Sequence, residues 1–151
     1  LEVDVTIAVA KSFYIKPNFT LSSNKNVDLT VDGFSYGNTD IAYSPDLIIG
    51  NIFVYKPIEN LYVSLLQKFV GKQYMNNIEL PEAKLDSYFV NDFNIAYEIF
   101  PKTVFKSIMV NVLVNNIFDT EYVANGYMWD VYPYYYPQAG INFLAGLTLK
   151  F

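Results

Sequence analysis

The sequence contains no cysteine, histidine or arginine, and all ten basic residues of its 151 are lysines. The first two absences exclude disulfides, thiol nucleophiles, Ser-His-Asp triads and HExxH zinc sites. Without arginine there is no bidentate grip on phosphate, and a net charge of −5 repels a nucleic-acid backbone. No phosphate-binding loop or GxGxxG string occurs. We therefore expect no enzymatic activity, no catalytic or metal-ligating residues, no cofactor and no nucleic-acid partner.

Long apolar runs are missing too, although 52% of the residues are hydrophobic and 18% are aromatic. A membrane-spanning helix needs ~20 consecutive apolar residues, and the aliphatic runs here, such as Ile7 to Ala10, are far shorter. What is present is alternation. From Gln138 to Phe151 every odd position is apolar, and the even positions are small or polar apart from Leu144. A period of two indicates a β-strand.

The same alternation recurs along the chain and predicts about seven strands. They are expected at residues 1–9, 14–23, 46–55, 61–74, 86–99, 107–115 and 138–151. Short joins at 10–13, 56–60 and 100–106 alternate with long connections at 24–45, 75–85 and 118–137. Tight turns on one rim and large loops on the other are typical of an up-and-down transmembrane barrel.

Strand length and charge also favour a transmembrane barrel. Several predicted strands reach ~9 to 11 residues, which a tilted strand needs to cross a bilayer, whereas soluble strands average ~5 to 6. The long connections carry eight acidic residues and two lysines, so one rim is acidic. The polar strand faces would line a lumen, through Glu2, Asp4, Lys16, Asn18, Asp92, Asn94, Glu98, Asn111, Asn115, Asn142 and Lys150.

Several short stretches of sequence indicate a protein family more specifically than the alternation of apolar residues does. In chain order they are KFVGKQY at 68–74, LDSYFV at 85–90, VNNIFD at 114–119, YPQAGINF at 136–143 and LTLKF at 147–151. This series resembles the C-terminal part of TonB-dependent outer-membrane receptors, most strongly over residues 61–151. The resemblance implies an all-β fold: an antiparallel up-and-down transmembrane segment of a 22-stranded barrel. It assigns residues 1–151 to the C-terminal portion of that barrel, without the plug domain or the N-terminal strands.

The resemblance also implies a function and partners. The chain would form barrel wall and extracellular loops of a receptor for energised nutrient uptake in the bacterial outer membrane. Its substrate would be a metal chelate, a vitamin or a glycan. The expected partners are outer-membrane lipid, the barrel-assembly machinery, and TonB through an N-terminal region outside this sequence. The implied assembly signal is the apolar face of the last strand, formed by Phe143, Leu147, Leu149 and Phe151.

The best candidates for substrate recognition lie in the last long connection. They are Asn125, Tyr127, Trp129, Tyr132, Tyr134, Tyr135 and Tyr136. Their flat amphipathic rings suit stacking on a sugar or a flat chelate, with hydroxyls to fix orientation. The same rings could instead fold the loop onto itself and onto the barrel rim, and the sequence leaves both roles open.

Two alternative folds also remain open at this point. The chain could be a complete small barrel, an adhesin or structural protein, with an eighth strand within residues 30–43. It could also be a soluble β-sandwich that binds a ligand. In a sandwich, the apolar strand faces would be buried against a second layer.

Overall fold

The computed structural model describes residues 1–101 and 104–151, and its regular structure is almost entirely antiparallel β-sheet. No helix in these ranges is long and apolar enough to span a bilayer. A single 3-10 turn covers Pro81–Ala83 in the described chain. The strands are β1 (Glu2–Asp4), β2 (Ile7–Ala10), β3 (Phe13–Leu21), β4 (Lys25–Val31), β5 (Phe34–Asp40), β6 (Leu47–Tyr55), β7 (Leu61–Val70), β8 (Gln73–Tyr74), β9 (Lys84–Leu85), β10 (Tyr88–Ile99), β11 (Ser107–Asn115), β12 (Val123–Trp129), β13 (Tyr132–Pro137) and β14 (Asn142–Lys150).

One large sheet, here called the wall, has the order β1-β3-β6-β7-β10-β11-β14, with β2 also paired to β3. Because β1 and β2 pair with opposite ends of β3, they share one strand position. The break between them lies opposite Pro17, which has no N–H to donate to the ladder. The described wall therefore has seven positions in chain order, which confirms the predicted antiparallel meander.

The short and long connections also alternate as predicted, although residues 102 and 103 of the join at 100–106 lie outside the described ranges. The long connections nevertheless contain strands of their own, in three small two-stranded sheets: β4-β5, β8-β9 and β12-β13. The strand predicted at 61–74 was wrong at its end. The N–H of Gly71 bonds the Leu47 carbonyl, and the chain then leaves the wall so that β8 can pair with β9.

The possible eighth wall strand within residues 30–43 was also wrong. That segment does contain β5, but β5 pairs only with β4 among the described strands, in a separate hairpin. The hairpin turn is Asp32-Gly33, with φ values of 52° and 81°. Positive φ at both central residues suits the twist of a tight two-residue β-turn, and Asp-Gly is a preferred sequence for it. Local turn chemistry thus folds this segment back on itself.

The register sorts the wall into one polar and one apolar face. Residues directly opposite each other on neighbouring strands share a face, so Asn18 lies beside Gly50, and Asn94 beside Ser64. The predicted lumen residues all fall on this polar face. The opposite face carries the alternating apolar residues, Phe143, Leu147 and Leu149 among them.

No second layer of the described chain covers the apolar face. Among the described residues, the buried hydrophobic side chains are Val70, Met75, Ala83, Leu85 and Val90, and none of them points from that face. By contrast Phe143 is 76% exposed and Leu147 is 63% exposed. The soluble sandwich was therefore the wrong alternative, since the wall is a single layer whose apolar face has no second sheet against it.

One row of amides interrupts the apolar face. Asn51, Gln67 and Asn91 are direct register partners on β6, β7 and β10. The Gln67 Nε2 donates to the Asn91 Oδ1 at 2.9 Å, and Asn91 is only 1% exposed. If one strand shifted by two residues against its neighbour, its apolar side chains would stay on the same face, so the apolar pattern alone does not fix the register. The amide row does fix the register, because such a shift would separate the hydrogen-bonded amides.

We predict that Gln67→Leu destabilises the wall, because it leaves the buried Asn91 amide without its partner, at a cost of about 1 to 3 kcal/mol. The double variant Gln67→Leu with Asn91→Leu removes both polar groups and should recover most of that loss. Urea unfolding of the full-length protein in detergent measures both effects. Equal stability of the single variant and the wild type would show that the row contributes nothing.

Candidate functional site

The three long connections form one structure on a single rim of the wall. We call it the cap and define it as residues 22–46, 71–87 and 116–141. Tyr43 joins all three segments, since its N–H bonds the Tyr74 carbonyl at 2.8 Å and its hydroxyl bonds the Gly126 carbonyl at 3.0 Å. The Tyr135 hydroxyl adds a bond of 2.9 Å to the Glu82 carbonyl. The loops are therefore held together and are not independent flaps.

The cap also has a small hydrophobic core of its own. Met75, Ala83 and Leu85 are buried together, and partly buried Leu80, Val123 and Met128 pack against them. Burial of apolar area drives this association, as it does in any globular core. The second and third segments of the cap thus share one core, so the hairpin β12-β13 is fixed relative to the wall.

Gly126 allows the hairpin to approach this core. A Cβ added there would lie 2.5 Å from the Tyr134 carbonyl oxygen and 2.6 Å from the Met75 Sδ. Real Cβ atoms do not tolerate such separations, so a larger residue would distort the hairpin at the Tyr134 carbonyl and force the Met75 side chain to move. The Asn125-Gly126-Tyr127 string therefore has a packing role at its central residue.

The base of the third segment is built by Asn116 and Asp119, from the VNNIFD string. The Asn116 Oδ1 accepts from the Thr120 N–H at 2.9 Å, and its Nδ2 donates to the Thr120 carbonyl at 2.9 Å. The Asp119 carboxylate accepts from the Ile141 N–H at 2.7 Å. Both residues have positive φ, 49° and 52°, which Asn and Asp tolerate best after glycine. This string is a structural turn that returns the chain to β14.

The two cap strands β12 and β13 sort the predicted recognition residues by face. Tyr127 pairs with Tyr134, Trp129 with Tyr132, and Asn125 with Tyr136. Alternation along each strand places these six side chains on one face of the hairpin, which we call the aromatic ladder. Tyr135 belongs to the other face with Gly126 and helps to anchor the cap. The structure therefore brings six of the seven predicted residues together.

The rings of the ladder pack on one another and stay open to solvent. Tyr127 lies 5.1 Å from Tyr134 with planes 11° apart, and 5.9 Å from Tyr136 with planes 34° apart. At the tip, Trp129 is 71% exposed and Tyr132 is 63% exposed. Self-stacking holds the three inner tyrosines against one another, while the two rings at the tip are the most exposed of the ladder. The structure therefore shows the packing role of these rings, and their role in recognition stays a prediction.

Charge around the ladder is negative. Its cap segment, residues 116–141, contains Asp119, Glu121 and Asp130 and no lysine. Elsewhere in the cap, Lys25 pairs with Asp40, and the Lys84 ammonium lies 2.6 Å from the Asp86 carboxylate. The hydrogen bond to Asp40 raises the pKa of Lys25, so this contact persists below its ordinary value of 10.5 and is lost as the pH rises beyond the folded-state value.

A cleft of about 320 Å³ lies where the second and third cap segments meet. It is lined by Lys84, Leu85, Asp86, Ser87, Glu121, Tyr122, Val123 and Tyr135. The hydrogen bond to Asp86 raises the pKa of Lys84, so that lysine stays charged and paired here. The lining is mixed, with charges of both signs beside aromatic edges, and it does not contain the aromatic ladder.

The residues of the implied assembly signal lie on the apolar face of β14 and just beyond it. Phe143, Leu147 and Leu149 alternate along the strand, each opposite an apolar residue of β11. The terminal Phe151 ring lies 5.1 Å from the Phe105 ring, with planes 47° apart. The last strand is therefore fully paired along one edge, and its terminal aromatic contacts the turn before β11.

The sequence did not identify Tyr43, Met75 or Gly126 as residues that shape the site. Their partners lie far along the chain, as in the Tyr43 hydroxyl bond across 83 positions. No local period or motif encodes such contacts. The Asn-Gly pair at 125–126 was the only available signal, and it indicates a turn more often than a close packing contact.

The fold resembles a section of the wall of a TonB-dependent receptor barrel, with its loops. Among solved structures, the chain is similar to the siderophore receptor PiuA from Acinetobacter baumannii, with a TM-score of 0.71, 16% identity, and coverage of 97% of this chain and 20% of that one. It is also similar to the ferric yersiniabactin uptake receptor FyuA from Yersinia pestis, with a TM-score of 0.68, 19% identity, and coverage of 97% and 22%. For the ferric-catecholate import receptor Fiu from E. coli the values are 0.64, 18%, 95% and 19%.

At these identities the likeness concerns the fold, and the chain spans about a fifth of the length of each receptor. No family model matches the chain, and no curated protein matches it. The predicted resemblance to part of a TonB-dependent receptor barrel is confirmed at the level of architecture.

We predict that Gly126→Ala loosens the cap, because the new methyl group clashes with the Tyr134 carbonyl of the same hairpin and with the Met75 Sδ, with an overpacking cost of about 1 to 3 kcal/mol. Limited chymotrypsin digestion of the full-length protein in detergent should then cut within residues 116–141 faster than in the wild type. Gly146→Ala is the matched control, since nothing lies within 4 Å of its added Cβ. Equal digestion of both variants would show that the close approach at Gly126 does not hold the cap.

Proposed function

We propose that residues 1–151 are the C-terminal part of the barrel of a TonB-dependent outer-membrane receptor, where they form wall and extracellular loops for energised nutrient uptake. The observation that carries this proposal is the exposed apolar face of a single-layer sheet. Exposure of such a continuous apolar face to water is unfavourable, whereas contact with bilayer hydrocarbon is favourable. The structural neighbours, all named as siderophore or ferric-chelate receptors, support the same class.

Strand dimensions support a membrane-crossing wall. β7 has 10 residues, β10 has 12, and β3, β6, β11 and β14 have 9 each. Strands of ~9 to 11 residues at barrel tilt match the hydrocarbon thickness. Lipid cannot satisfy backbone polar groups at an open edge, so β1 and β14 need partner strands from the rest of a closed barrel.

The two rims suggest an orientation. In outer-membrane barrels the tight turns face the periplasm and the large loops face outward. The cap would then lie on the cell surface, where the aromatic ladder meets substrate. The polar face would line a lumen that a plug or water fills. TonB would act through an N-terminal region of the receptor, and the β14 face with Phe151 would be presented to the barrel-assembly machinery.

Cysteine labelling of the full-length receptor in whole Gram-negative cells tests this orientation, since this chain supplies no native cysteine. Val131→Cys at the ladder tip should react with a membrane-impermeant maleimide on intact cells. Asn60→Cys, in the tight turn before β7, should react only after the outer membrane is permeabilised. A second cap position, Val27→Cys, is the matched control for surface exposure, because its parent residue is 74% exposed.

Labelling of both Val131→Cys and Asn60→Cys on intact cells, or recovery of the protein in the soluble fraction, would contradict the proposal. Labelling of Asn60→Cys alone would reverse the orientation and remove the cap from the cell surface.

A further inference from the structure

We infer that the aromatic ladder binds a neutral, polyhydroxylated ligand, an extended oligosaccharide, and not an anionic ferric chelate. This inference rests on the proposed function, because it requires the cap to face the cell exterior. It concerns the chemical class of the substrate that the receptor captures.

The shape of the ladder favours an extended ligand. Residues two apart on a strand are ~6.8 Å apart, so the three rungs from Asn125 to Trp129 extend for ~14 Å along the hairpin. The ladder lies on an open face and has no enclosing wall, since Trp129 and Tyr132 at its tip are the most exposed of its rings. A compact chelate would contact one rung, whereas a chain of sugar rings can follow all three.

The chemistry of the rungs suits sugar rings. The free faces of Trp129 and Tyr132 can stack on the aliphatic C–H face of a pyranose, which is apolar. The inner rings of Tyr127, Tyr134 and Tyr136 pack on each other and are still 41%, 47% and 52% exposed. Their hydroxyl groups both donate and accept hydrogen bonds, as sugar hydroxyls require. The ladder thus combines apolar faces and paired polar edges without any formal charge.

The charges of the cap oppose an anionic ligand. A ferric tris-catecholate is an anion, and cationic side chains are its natural partners. The ladder segment has three acidic residues and no lysine. In the rest of the cap, Lys25 and Lys84 are paired with carboxylates, and the Lys72 ammonium lies 5.7 Å from the centre of the Tyr74 ring. All three lysines of the cap are therefore already engaged, and the net field around the ladder is negative.

Aromatic rings and acids together can also bind an organic cation. Here the three carboxylates lie outside the rungs of the ladder: Asp119 bonds the Ile141 N–H at the base of the segment, Glu121 lines the cleft, and Asp130 lies in the turn between Trp129 and Tyr132. A quaternary ammonium ligand needs rings arranged around one point, whereas these rings are spread along a line. The geometry therefore favours the neutral extended ligand.

The test is equilibrium binding to the purified full-length receptor in detergent. The probes are a panel of neutral oligosaccharides (gluco-, manno-, galacto- and xylo-hexaoses), a ferric tris-catecholate, and tetramethylammonium. We expect at least one oligosaccharide to bind, with affinity independent of salt because no charge is involved. Trp129→Ala and Tyr132→Ala should each weaken it by about 10-fold or more, through lost stacking.

Two matched variants separate ring stacking from charge as the cause of binding. Val131→Ala changes a non-aromatic residue of the same turn that is 57% exposed, and it should leave the affinity unchanged. Asp130→Asn removes the nearest charge and should change oligosaccharide binding less than 2-fold, whereas it would strengthen an anion and weaken a cation. Binding that is insensitive to Asp130→Asn and sensitive to Trp129→Ala supports the inference.

Three results would overturn it: no oligosaccharide of the panel binds, binding does not depend on Trp129 and Tyr132, or the ladder variants instead abolish binding of the ferric tris-catecholate or of tetramethylammonium. None of these results bears on the cysteine labelling, so the assignment to the outer membrane stands or fails separately.

Discussion

The whole structure depends on one constraint: a single β-sheet with an uncovered apolar face needs an apolar medium on that side. The wall follows it, because the predicted lumen residues share one face and the other face is hydrophobic apart from the amide row of Asn51, Gln67 and Asn91. The described chain buries very few hydrophobic residues, and three of the five lie in the cap. A water-soluble protein of this composition would instead place its aliphatic side chains in a core. We propose that the aliphatic side chains of the wall contact bilayer hydrocarbon instead of a protein core.

The cap follows a different rule from the wall. Its segments face water, and they associate as a small soluble protein does, through the Met75 core and hydrogen bonds that cross from one segment to the next. In the proposed function this rigidity would favour recognition, because a fixed hairpin presents its rings without the entropy cost of ordering a mobile loop. The contacts among Tyr127, Tyr134 and Tyr136 hold these rings in place.

The wall could be predicted from the sequence because its signal is local. A period of two gives each strand and its faces, and the alternation of join lengths gives the meander. The cap could not be predicted in this way. Its strands β4, β5, β12 and β13 lie in segments that were predicted as long connections. The contact between Tyr43 and Gly126 joins residues that are far apart in the sequence, so no local pattern indicates it. For the candidate site, the sequence located an aromatic cluster that the structure brings together, but only the register of β12 and β13 separates Tyr135 from the ladder. The amide row on the apolar face also depends on register, which the pattern of single strands does not contain.

The most direct test of the central claim is spin-label accessibility along β11 in the full-length receptor reconstituted into bilayers. Single cysteines at 108, 110, 112 and 114 should give nitroxides that collide with dissolved oxygen and not with a water-soluble nickel chelate, because these positions face hydrocarbon. Labels at 109, 111 and 113 should show the reverse preference. Low accessibility of the even positions to both reagents would mean that protein covers the apolar face, and high accessibility to the nickel chelate would mean that water does. Either result would contradict the account.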